Sequence, residues 1–492
     1  MTSGHLWARF VFLRSLALIF LSAFYSLAFQ IYGLVGDNGI LPAQAYLSQV
    51  ASVFGPFKKM WYAPTLFWLD AHDPALRAVI AVGLICSVLL VLNIRPRMMI
   101  VMCTVCFLSC IAVLQDFSSY QSDGMLLEAG FVSIFFAPRG TLPGLGATDP
   151  PSRISLFMLR WEWFRIYFES GVVKLASGDP HWRNLTAMDD YYQNGPLPSW
   201  LGWYVQQLPH WYHAGTVILT LVVELVLVWL LFGNRRARVA CFLVVTALQI
   251  GIIATANYAF LNYLVLALGF LLLDDRFFAS IGFRVPETMP PPDTARAMIR
   301  RRIETVVLTF ALYATVVAFL GSGLPFLFTW PARLLDPFRI AGAYGLFAVM
   351  TPARYEIEFQ GSRDGNTWTA YPFRYKPQNI NERPGFFAPY QPRFDWNLWF
   401  ASLGQWDESP WVIAAEQKLV GGSASVLQLF KYDPFKGKPP QMVRTILYQY
   451  WFTDLATKHR TGAWWRRMEL GQFAPPVTSL STTIRASPDS AR

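Results

Sequence analysis

The chain has 492 residues and a formal net charge of +10, and its residues are 54% hydrophobic, 16% aromatic and 15% charged. Soluble globular chains carry about 25% charged residues, so this composition disfavours a protein that is solvated by water alone. The arginines lie in short stretches between apolar runs, which is typical of membrane topology and excludes a nucleic-acid-binding surface as the source of the positive charge. We therefore expect a membrane protein that contacts lipids and binds no nucleic acid.

Long apolar runs recur along the first two thirds of the chain. A membrane-spanning helix needs about 20 mainly apolar residues. The candidate runs lie at 10–33, 77–94, 98–115, 124–138, 155–176, 214–232, 239–256, 258–273 and 303–323. Two of them, 124–138 and 258–273, are short for a span. We predict an all-α membrane bundle of about nine transmembrane helices, the first of which is a retained signal-anchor helix.

The basic residues of the loops predict the orientation of this bundle. The loops that would share a side with Arg9 are rich in arginine, at 95–97, 139–153, 235–238 and 276–302, whereas the opposite loops contain few basic residues. Because cytoplasmic loops carry an excess of Lys and Arg, we expect the N-terminus to be cytoplasmic. The part of the chain that follows the last apolar run then lies outside.

The sequence pattern changes after Gly323. Residues 354–360 alternate between polar and apolar side chains as a half-buried strand does, 361–365 have turn composition, and 367–375 alternate again. A β-hairpin fits these three stretches. Two later stretches have the amphipathic pattern of helices, at 394–403 and 410–420.

These patterns divide the chain into three predicted parts. Residues 1–323 form a polytopic helical membrane domain with a long outside loop at 177–213. Residues 324–476 form an extracytoplasmic, β-containing mixed α/β domain. Residues 477–492 are rich in Ser and Thr, and we expect a disordered tail there.

The run at 155–176 contains charged residues, which are costly inside a membrane and therefore pair with one another or face a cavity. At about 100° per residue, Glu162, Arg165 and Glu169 share one helical face and predict a self-neutralising ladder. The intramembrane polar residues are Glu128, Arg165, Glu169, Lys174 and Glu224. One interpretation is that they form charge pairs between helices, with Lys174 reaching to the interface. The alternative is a polar pocket in which Lys174 is a base or an anion ligand.

Motifs of common enzyme classes are missing from this sequence. It contains no GxxxxGK[ST], GxGxxG, GxSxG or HExxH pattern. The five cysteines lie in apolar runs, so no disulfide framework is predicted. His210 and His213 have a spacing that could hold a metal, but no carboxylate stands in clear register with them. We predict no metal and no cofactor.

The loop at 177–213 contains two blocks with a recognisable pattern. They read Trp-Arg-Asn-Leu-Thr-Ala-Met at 182–188 and Tyr-Gln-Asn-Gly-Pro-Leu-Pro at 192–198. They resemble the W-R-D-L-T-x-M and H-Y-x-T-Q-P-x-P blocks of the lipase maturation factor family, apart from Asn184 in place of Asp and Asn194-Gly195 in place of Thr-Gln. The loop residues that the resemblance marks as client-binding or motif residues are Trp182, Arg183, Leu185, Thr186, Met188, Asp189, Tyr192, Pro196 and Pro198.

Further blocks extend the resemblance, in consistent order, to the end of the predicted outside domain. Residues 389–400 match the family's P-Y-x-x-R-x-D-W-x-x-W-F, with Phe394 in place of the usual Leu, and 433–440 resemble N-P-F-x-G-x-P-P. The outside-domain motif residues are Arg393, Asp395, Trp396 and Trp399. We expect them to hold the outside domain together or to dock it on the loop.

The resemblance implies a function. Animal members of the family lie in the endoplasmic reticulum membrane and help secreted lipases to fold and assemble into active dimers, and no catalytic residues are established for them. By resemblance, the chain is a chaperone-like folding factor whose partner is an immature secreted or exported protein such as a lipase. In a bacterial host the same protein would lie in the cytoplasmic membrane. Outside loops without cysteine argue against a thiol-exchange mechanism.

A second resemblance supports the alternative of a membrane enzyme. Residues 171–175, Gly-Val-Val-Lys-Leu, are similar to a membrane segment of vitamin K-dependent γ-carboxylases, in which a lysine is the catalytic base. This resemblance implies that Lys174 acts on a lipid or quinone-like substrate, since a desolvated lysine loses its proton more readily.

Overall fold

The computed structural model describes residues 4–118, 120–288 and 294–479. Its N-terminal part is built from helices: α1 (Leu6–Val35), α2 (Ala43–Val53), α3 (Pro56–Tyr62), α4 (Asp73–Val91), α5 (Pro96–Val113), α6 (Gln121–Phe136), α7 (Arg153–Ala176), α8 (Pro180–Arg183), α9 (Tyr191–Asn194), α10 (Trp200–Gln206), α11 (His210–Leu225), α12 (Arg235–Thr255), α13 (Leu261–Gly269), α14 (Asp275–Ser280), α15 (Ala295–Leu320) and α16 (Phe326–Arg333).

Among the described residues, six helices are long and apolar enough to cross a membrane. They are Leu6–Val35, Asp73–Val91, Pro96–Val113, His210–Phe232, Arg235–Thr255 and Ala295–Leu320, where His210–Phe232 is α11 with the 3-10 turn that continues it. The other three predicted runs are also helical, but α6 has 16 residues and Leu261–Leu272 is short. The remaining run, in α7, contains the charged residues described above. The chain is a helical membrane protein, and the number of about nine transmembrane helices remains a prediction.

The ends of several helices follow from local sequence. Pro96 occupies the first turn of α5, where its missing N–H costs nothing. The side chain of Asn234 accepts a hydrogen bond from the backbone N–H of Ala237 at 3.0 Å and caps α12. The Ser152 hydroxyl caps α7 in the same way, at 3.2 Å from the nitrogen of Ser155.

Helix α1 lies at the centre of the bundle, and its buried face packs on α4, α5, α6 and α13. A Cβ atom at Gly83 of α4 would lie 2.4 Å from the Phe24 ring, so glycine permits the close contact of α1 with α4. The Phe20 and Phe24 rings meet Phe107 of α5 edge-on, at centroid distances of 6.1 and 5.9 Å. This aromatic cluster makes α1 the core of the membrane part.

The C-terminal part combines helices with one antiparallel sheet. Its elements are β1 (Arg354–Ser362), β2 (Thr369–Ala370), α17 (Arg393–Ala401), α18 (Trp411–Val420), α19 (Ala424–Leu427), β3 (Met442–Phe452), α20 (Leu455–Thr461) and β4 (Trp465–Thr478). The strand order is β2-β1-β3-β4. Helix α17 packs on β1, and α18 packs on β3 and β4.

The predicted hairpin and both predicted helices of this part are present. Strand β1 pairs with β2, with Gln360 opposite Ala370, and the Asp364 carboxylate closes the turn by accepting the backbone N–H of Thr367 at 2.7 Å. The longer β3–β4 pairing had no predicted counterpart. Strand β4 forms an edge of the sheet, which tolerates the Pro475-Pro476 pair, and it continues past the predicted boundary at 476. Residues 480–492 of the predicted tail lie outside the described residues.

Candidate functional site

The loop at 177–213, described throughout, folds into the short helices α8, α9 and α10 before α11 begins. Trp182 is buried, and its indole N–H donates to the carbonyl of Phe347 at 3.1 Å. Arg183 instead donates to the Leu175 carbonyl at 2.8 Å, at the C-terminal end of α7. Both motif residues hold the loop in place, Trp182 from a buried position and Arg183 from the surface.

The other predicted loop residues also make contacts within the protein. Leu185 adopts φ of +60°, which is uncommon outside glycine, next to a backbone turn in which Thr186 donates to the His181 carbonyl at 2.9 Å. The Asp189 carboxylate lies 3.0 Å from the His210 ring, so this histidine has a carboxylate partner that sequence spacing did not reveal. Met188 and Tyr192 are buried, as are Pro196 and Pro198. Pro198 pairs with Ala256 at the end of α12.

Arg354 at the start of β1 fastens the loop to the C-terminal sheet. Its guanidinium is fully buried and donates to the carbonyls of Gln193 at 3.0 Å and Pro196 at 3.1 Å, as well as to that of Gly195. It also pairs with Glu356, whose other oxygen lies 2.8 Å from Lys376. Five donors in a planar fork suit such a cluster of acceptors. The loop and β1 therefore form one unit.

The segment at 342–351 threads between the membrane helices and the loop. Asp179 accepts the backbone N–H of Met350 at 2.6 Å and that of His181 at 3.0 Å. Burial opposes its ionisation, but these hydrogen bonds outweigh burial and lower the pKa of Asp179. Phe347 adopts φ of +56°, a conformation that the hydrogen bond from Trp182 helps to hold.

Inside the membrane part, Arg165 pairs with Glu128 and lies 4.0 Å from Glu169. Tyr344 of the threading segment joins this cluster: its hydroxyl donates to Glu128 at 2.5 Å, and its backbone N–H donates to Glu169 at 2.6 Å. The predicted ladder is wrong for Glu162, whose carboxylate has no hydrogen-bond partner among the described residues. Packing brought in Glu128 and Tyr344 from other elements as the partners.

Lys174 forms a second buried pair. Its ammonium lies 2.8 and 2.9 Å from the two carboxylate oxygens of Glu224 on α11, and it donates to the Leu346 carbonyl at 3.2 Å. The Trp182 ring centroid is 5.1 Å away. All of these neighbours favour a charged, stationary ammonium.

In the outside-domain motif, Arg393 makes a bidentate pair with Asp123 at the start of α6, at 2.7 and 2.8 Å. Asp395 is buried and accepts the backbone N–H groups of Tyr375 and Lys376, both at 3.2 Å. Burial raises the pKa of Asp395 to about 6, against the effect of these hydrogen bonds. Arg393 thus docks the C-terminal part on the membrane part, and Asp395 holds that part together.

A cavity of about 350 Å³ lies where the loop, the threading segment and α17 meet. Its walls include Pro196 of the loop motif and both Trp396 and Trp399 of the α17 motif. Among the described residues, neither indole N–H has a hydrogen-bond partner, and the side-chain oxygen of Asn194 has none either. The cavity walls are mainly apolar, and Phe347 of the threading segment lines them. We call this space the junction cavity.

Several contributors to this arrangement were missed by sequence reasoning. Asp123, Arg354, Tyr344 and Phe347 had been assigned no role at the site. Asp123 and Tyr344 stand in or beside apolar runs, where a polar group needs a partner, and that was the available signal. Their partners lie 270 and 216 residues away, so the sequence could not name them.

The described residues contain no group of three or more His, Cys, Asp or Glu side chains that could hold a metal ion. The five cysteines are buried and free. His213 lies against the Tyr192 ring, at a centroid distance of 5.7 Å. Among the buried charged side chains of the membrane part, Arg165 pairs with Glu128 and Lys174 pairs with Glu224.

Comparisons with known proteins agree with these features. Residues 7–280 match the model of the lipase maturation factor transmembrane domain, and residues 340–475 match that of the lipase maturation factor C-terminal domain. Lipase maturation factor 1 of Bos taurus is 31% identical over 509 residues, which cover 97% of this chain and 90% of the relative. Lipase maturation factor 2 of Gallus gallus is 30% identical over 587 residues, which cover 97% and 82%. No solved structure matches the chain. The chain belongs to the lipase maturation factor family.

Proposed function

We propose that this protein is a membrane-bound maturation factor that binds an immature secreted lipase. The relatives that cover nearly the whole chain are named lipase maturation factors, and the six long apolar helices place the protein in a membrane. Binding, and not catalysis, is the proposed activity. The client is an incompletely folded chain that still exposes apolar segments.

The observation that carries the proposed binding site is the make-up of the junction cavity. It joins the two sequence motifs of the family in one space, since Pro196 comes from the loop and Trp399 from α17. Aromatic walls suit an apolar client side chain. We therefore place the client segment in this cavity.

The proposal includes an orientation in the membrane. The loop and the C-terminal domain at 324–476 face outside, the N-terminus is cytoplasmic, and about nine helices within residues 1–323 cross the bilayer. The arginine-rich loops on one side support this topology. The membrane is that of the endoplasmic reticulum by family, or the cytoplasmic membrane in a bacterial host. Clients would then meet the junction cavity after translocation.

The alternative of an enzyme with Lys174 as its base receives no support from the geometry. The ammonium is neutralised by both oxygens of Glu224 and also donates to the Leu346 carbonyl. A base must release its proton, and an adjacent carboxylate favours the protonated form instead. We assign Lys174 to helix locking.

The test replaces exposed residues of the junction cavity, so that client binding changes while the packing of the hydrophobic core stays intact. Val349 and Phe400 line the cavity and are 67% and 47% exposed. The variants are Val349→Asp and Phe400→Ser. Leu403, three residues after Phe400, is 42% exposed but does not line the cavity. Leu403→Ser is therefore the matched control. The readouts are secreted lipase activity and in vivo crosslinking of the lipase from a photoreactive residue at 121, an exposed position that also lines the cavity.

We expect both cavity variants to lower crosslinking and active lipase while the amount of maturation factor in the membrane stays unchanged. The Leu403→Ser control should behave as the unmodified protein. If the cavity variants keep full lipase output and crosslinking, the client binds elsewhere. If the lipase never crosslinks to any outside position, the maturation-factor proposal itself fails.

A further inference from the structure

A second cavity, of about 480 Å³, lies within the membrane part between α7, α11, α12 and α13. Tyr191 and Phe347 line both this space and the junction cavity, so the two cavities are neighbours with a shared aromatic wall. The proposed function makes no use of this space. Its volume is in the range of small-molecule binding sites, which is about 300–1,000 Å³. We call it the intramembrane cavity.

The rim of the intramembrane cavity lies on helices that face the bilayer. Leu219 of α11 and Val244 of α12 line the cavity and are also exposed, and both helices are long and apolar enough to cross a membrane. At Gly251, on the same rim, an added Cβ would meet no atom within 4 Å. A molecule that enters past these residues must come from the hydrocarbon of the membrane, and it is therefore a lipid.

The inner end of the cavity is polar but carries no free charge. The Lys174 ammonium and the Glu224 carboxylate neutralise each other at 2.8 Å. Beside them, Asn262 donates to the Gln249 side-chain oxygen at 2.7 Å, and Gln249 donates to the Tyr167 hydroxyl at 2.7 Å. Among the described residues, no acceptor is present for the Tyr167 hydroxyl proton, and no donor for the Asn262 oxygen. This end offers one donor and one acceptor to a ligand.

We propose that the intramembrane cavity binds a membrane lipid with an uncharged, hydroxyl- or carbonyl-bearing head group. The head group contacts Tyr167 and Asn262, and the acyl chain leaves between α11 and α12. A charged head group is disfavoured because the Lys174 and Glu224 charges at the inner end are already paired, and burying a further unpaired charge is costly. The lipid supports the wall formed by Phe347, and its binding is separate from the capture of a client.

The test uses the full-length protein in phosphatidylcholine vesicles with two photoreactive lipids that have identical acyl chains. One is diacylglycerol, which is neutral and has a hydroxyl group, and the other is phosphatidylglycerol, which is anionic. Labelled peptides are mapped by mass spectrometry. We expect diacylglycerol to label α11 and α12 at the cavity rim at least about fivefold more than phosphatidylglycerol, because the phosphate charge would be buried without a partner.

Two variants separate the cavity from general lipid contact. Gly251→Trp fills the rim and should abolish the preferential labelling, whereas Gly215→Trp should not, since Gly215 is an exposed α11 glycine with open space that does not line the cavity. Tyr167→Phe removes only the hydroxyl and should reduce the preference for diacylglycerol while acyl labelling persists. If Gly251→Trp fails to fold, the Tyr167→Phe variant alone tests whether the lipid binds in the intramembrane cavity. Equal labelling by both lipids, or labelling that neither variant changes, would show contact with bulk lipid only and overturn the proposal.

Discussion

The Arg393 guanidinium and the Asp123 carboxylate form a fully buried bidentate pair at 2.7 and 2.8 Å, although 270 residues separate them in the chain. Arg393 also donates to the Phe117 carbonyl at 2.8 Å. One residue belongs to α17 of the C-terminal part and the other to α6 of the membrane part. The pair therefore sets how the α17 wall of the junction cavity sits above the helices.

Breaking this pair should destabilise the protein strongly. In Arg393→Met, the Asp123 charge remains buried without its partner, which costs about 3–5 kcal/mol. The double variant Arg393→Met/Asp123→Leu should recover most of that stability, because two apolar side chains of similar volume replace the pair. Thermal unfolding in detergent, monitored by tryptophan fluorescence, measures the stability of both variants.

Lys431 and Glu382 provide the control, since this pair is more than half exposed and spans 3.3 Å. Lys431→Met should leave the unfolding temperature unchanged, as exposed pairs contribute little. If the double variant at 393 and 123 is as unstable as the single one, the loss does not come from an unpaired charge.

Arg354→Lys should release the loop without changing the net charge. A lysine ammonium cannot reach the carbonyls of Gln193 and Pro196 and the carboxylate of Glu356 at once, and each lost hydrogen bond of a charged donor is worth about 1.5–3 kcal/mol. We expect faster hydrogen exchange and faster proteolysis at residues 190–198. In the control Arg444→Lys, a guanidinium that bonds the Gln360 side chain and makes no hydrogen bond with the loop among the described residues is replaced, so the loop should stay protected. Unchanged exchange in Arg354→Lys would mean that other contacts hold the loop.

The Lys174–Glu224 pair distinguishes a structural from a catalytic lysine. Lys174→Met alone should lower stability and lipase output, because Glu224 is then buried with its charge unpaired. Lys174→Met/Glu224→Met should restore both, since neither charge remains. The measurements are total active lipase, which should follow the amount of folded maturation factor, and active lipase per folded molecule, which should stay unchanged in both variants. A double variant that folds normally but yields no active lipase would revive the hypothesis that Lys174 is a base.

Glu416 of α18 should make stability depend on pH. It is fully buried beside the sheet, and burial raises its pKa from 4.5 to about 8, with only partial opposition from the Thr445 hydroxyl. The folded protein therefore keeps the proton to a higher pH than the unfolded chain, so this group lowers stability progressively as pH rises from about 5 to about 8.

Glu416→Gln carries no such proton, and we expect it to be more stable than the unmodified protein at pH 8, with a smaller difference at pH 5. Unfolding temperatures measured at both pH values for the two proteins test this expectation. Exposed Glu382 supplies the control, and Glu382→Gln should shift neither value. Parallel stability curves for unmodified protein and Glu416→Gln would show that Glu416 does not titrate in this range.

Local sequence predicted most individual elements. The apolar runs correspond to helices because length and hydropathy are properties of one segment, and the 354–375 hairpin follows from alternation around an Asp-Gly turn. The β3–β4 pairing was not predicted, since β4 forms an edge that contains two adjacent prolines and many exposed side chains.

The sequence by itself determined that the protein is helical and membrane-embedded, and it contained the motifs that mark the family. Only the tertiary structure decided what the motif residues do. Trp182 and Arg393 prove to be buried anchors, while Trp399 lines a cavity. The physical reason is that a buried charge or N–H group must find a partner, and the partner is chosen by packing between distant segments. Asp123 meets Arg393, and Glu224 meets Lys174, only after the helices and the C-terminal part have assembled.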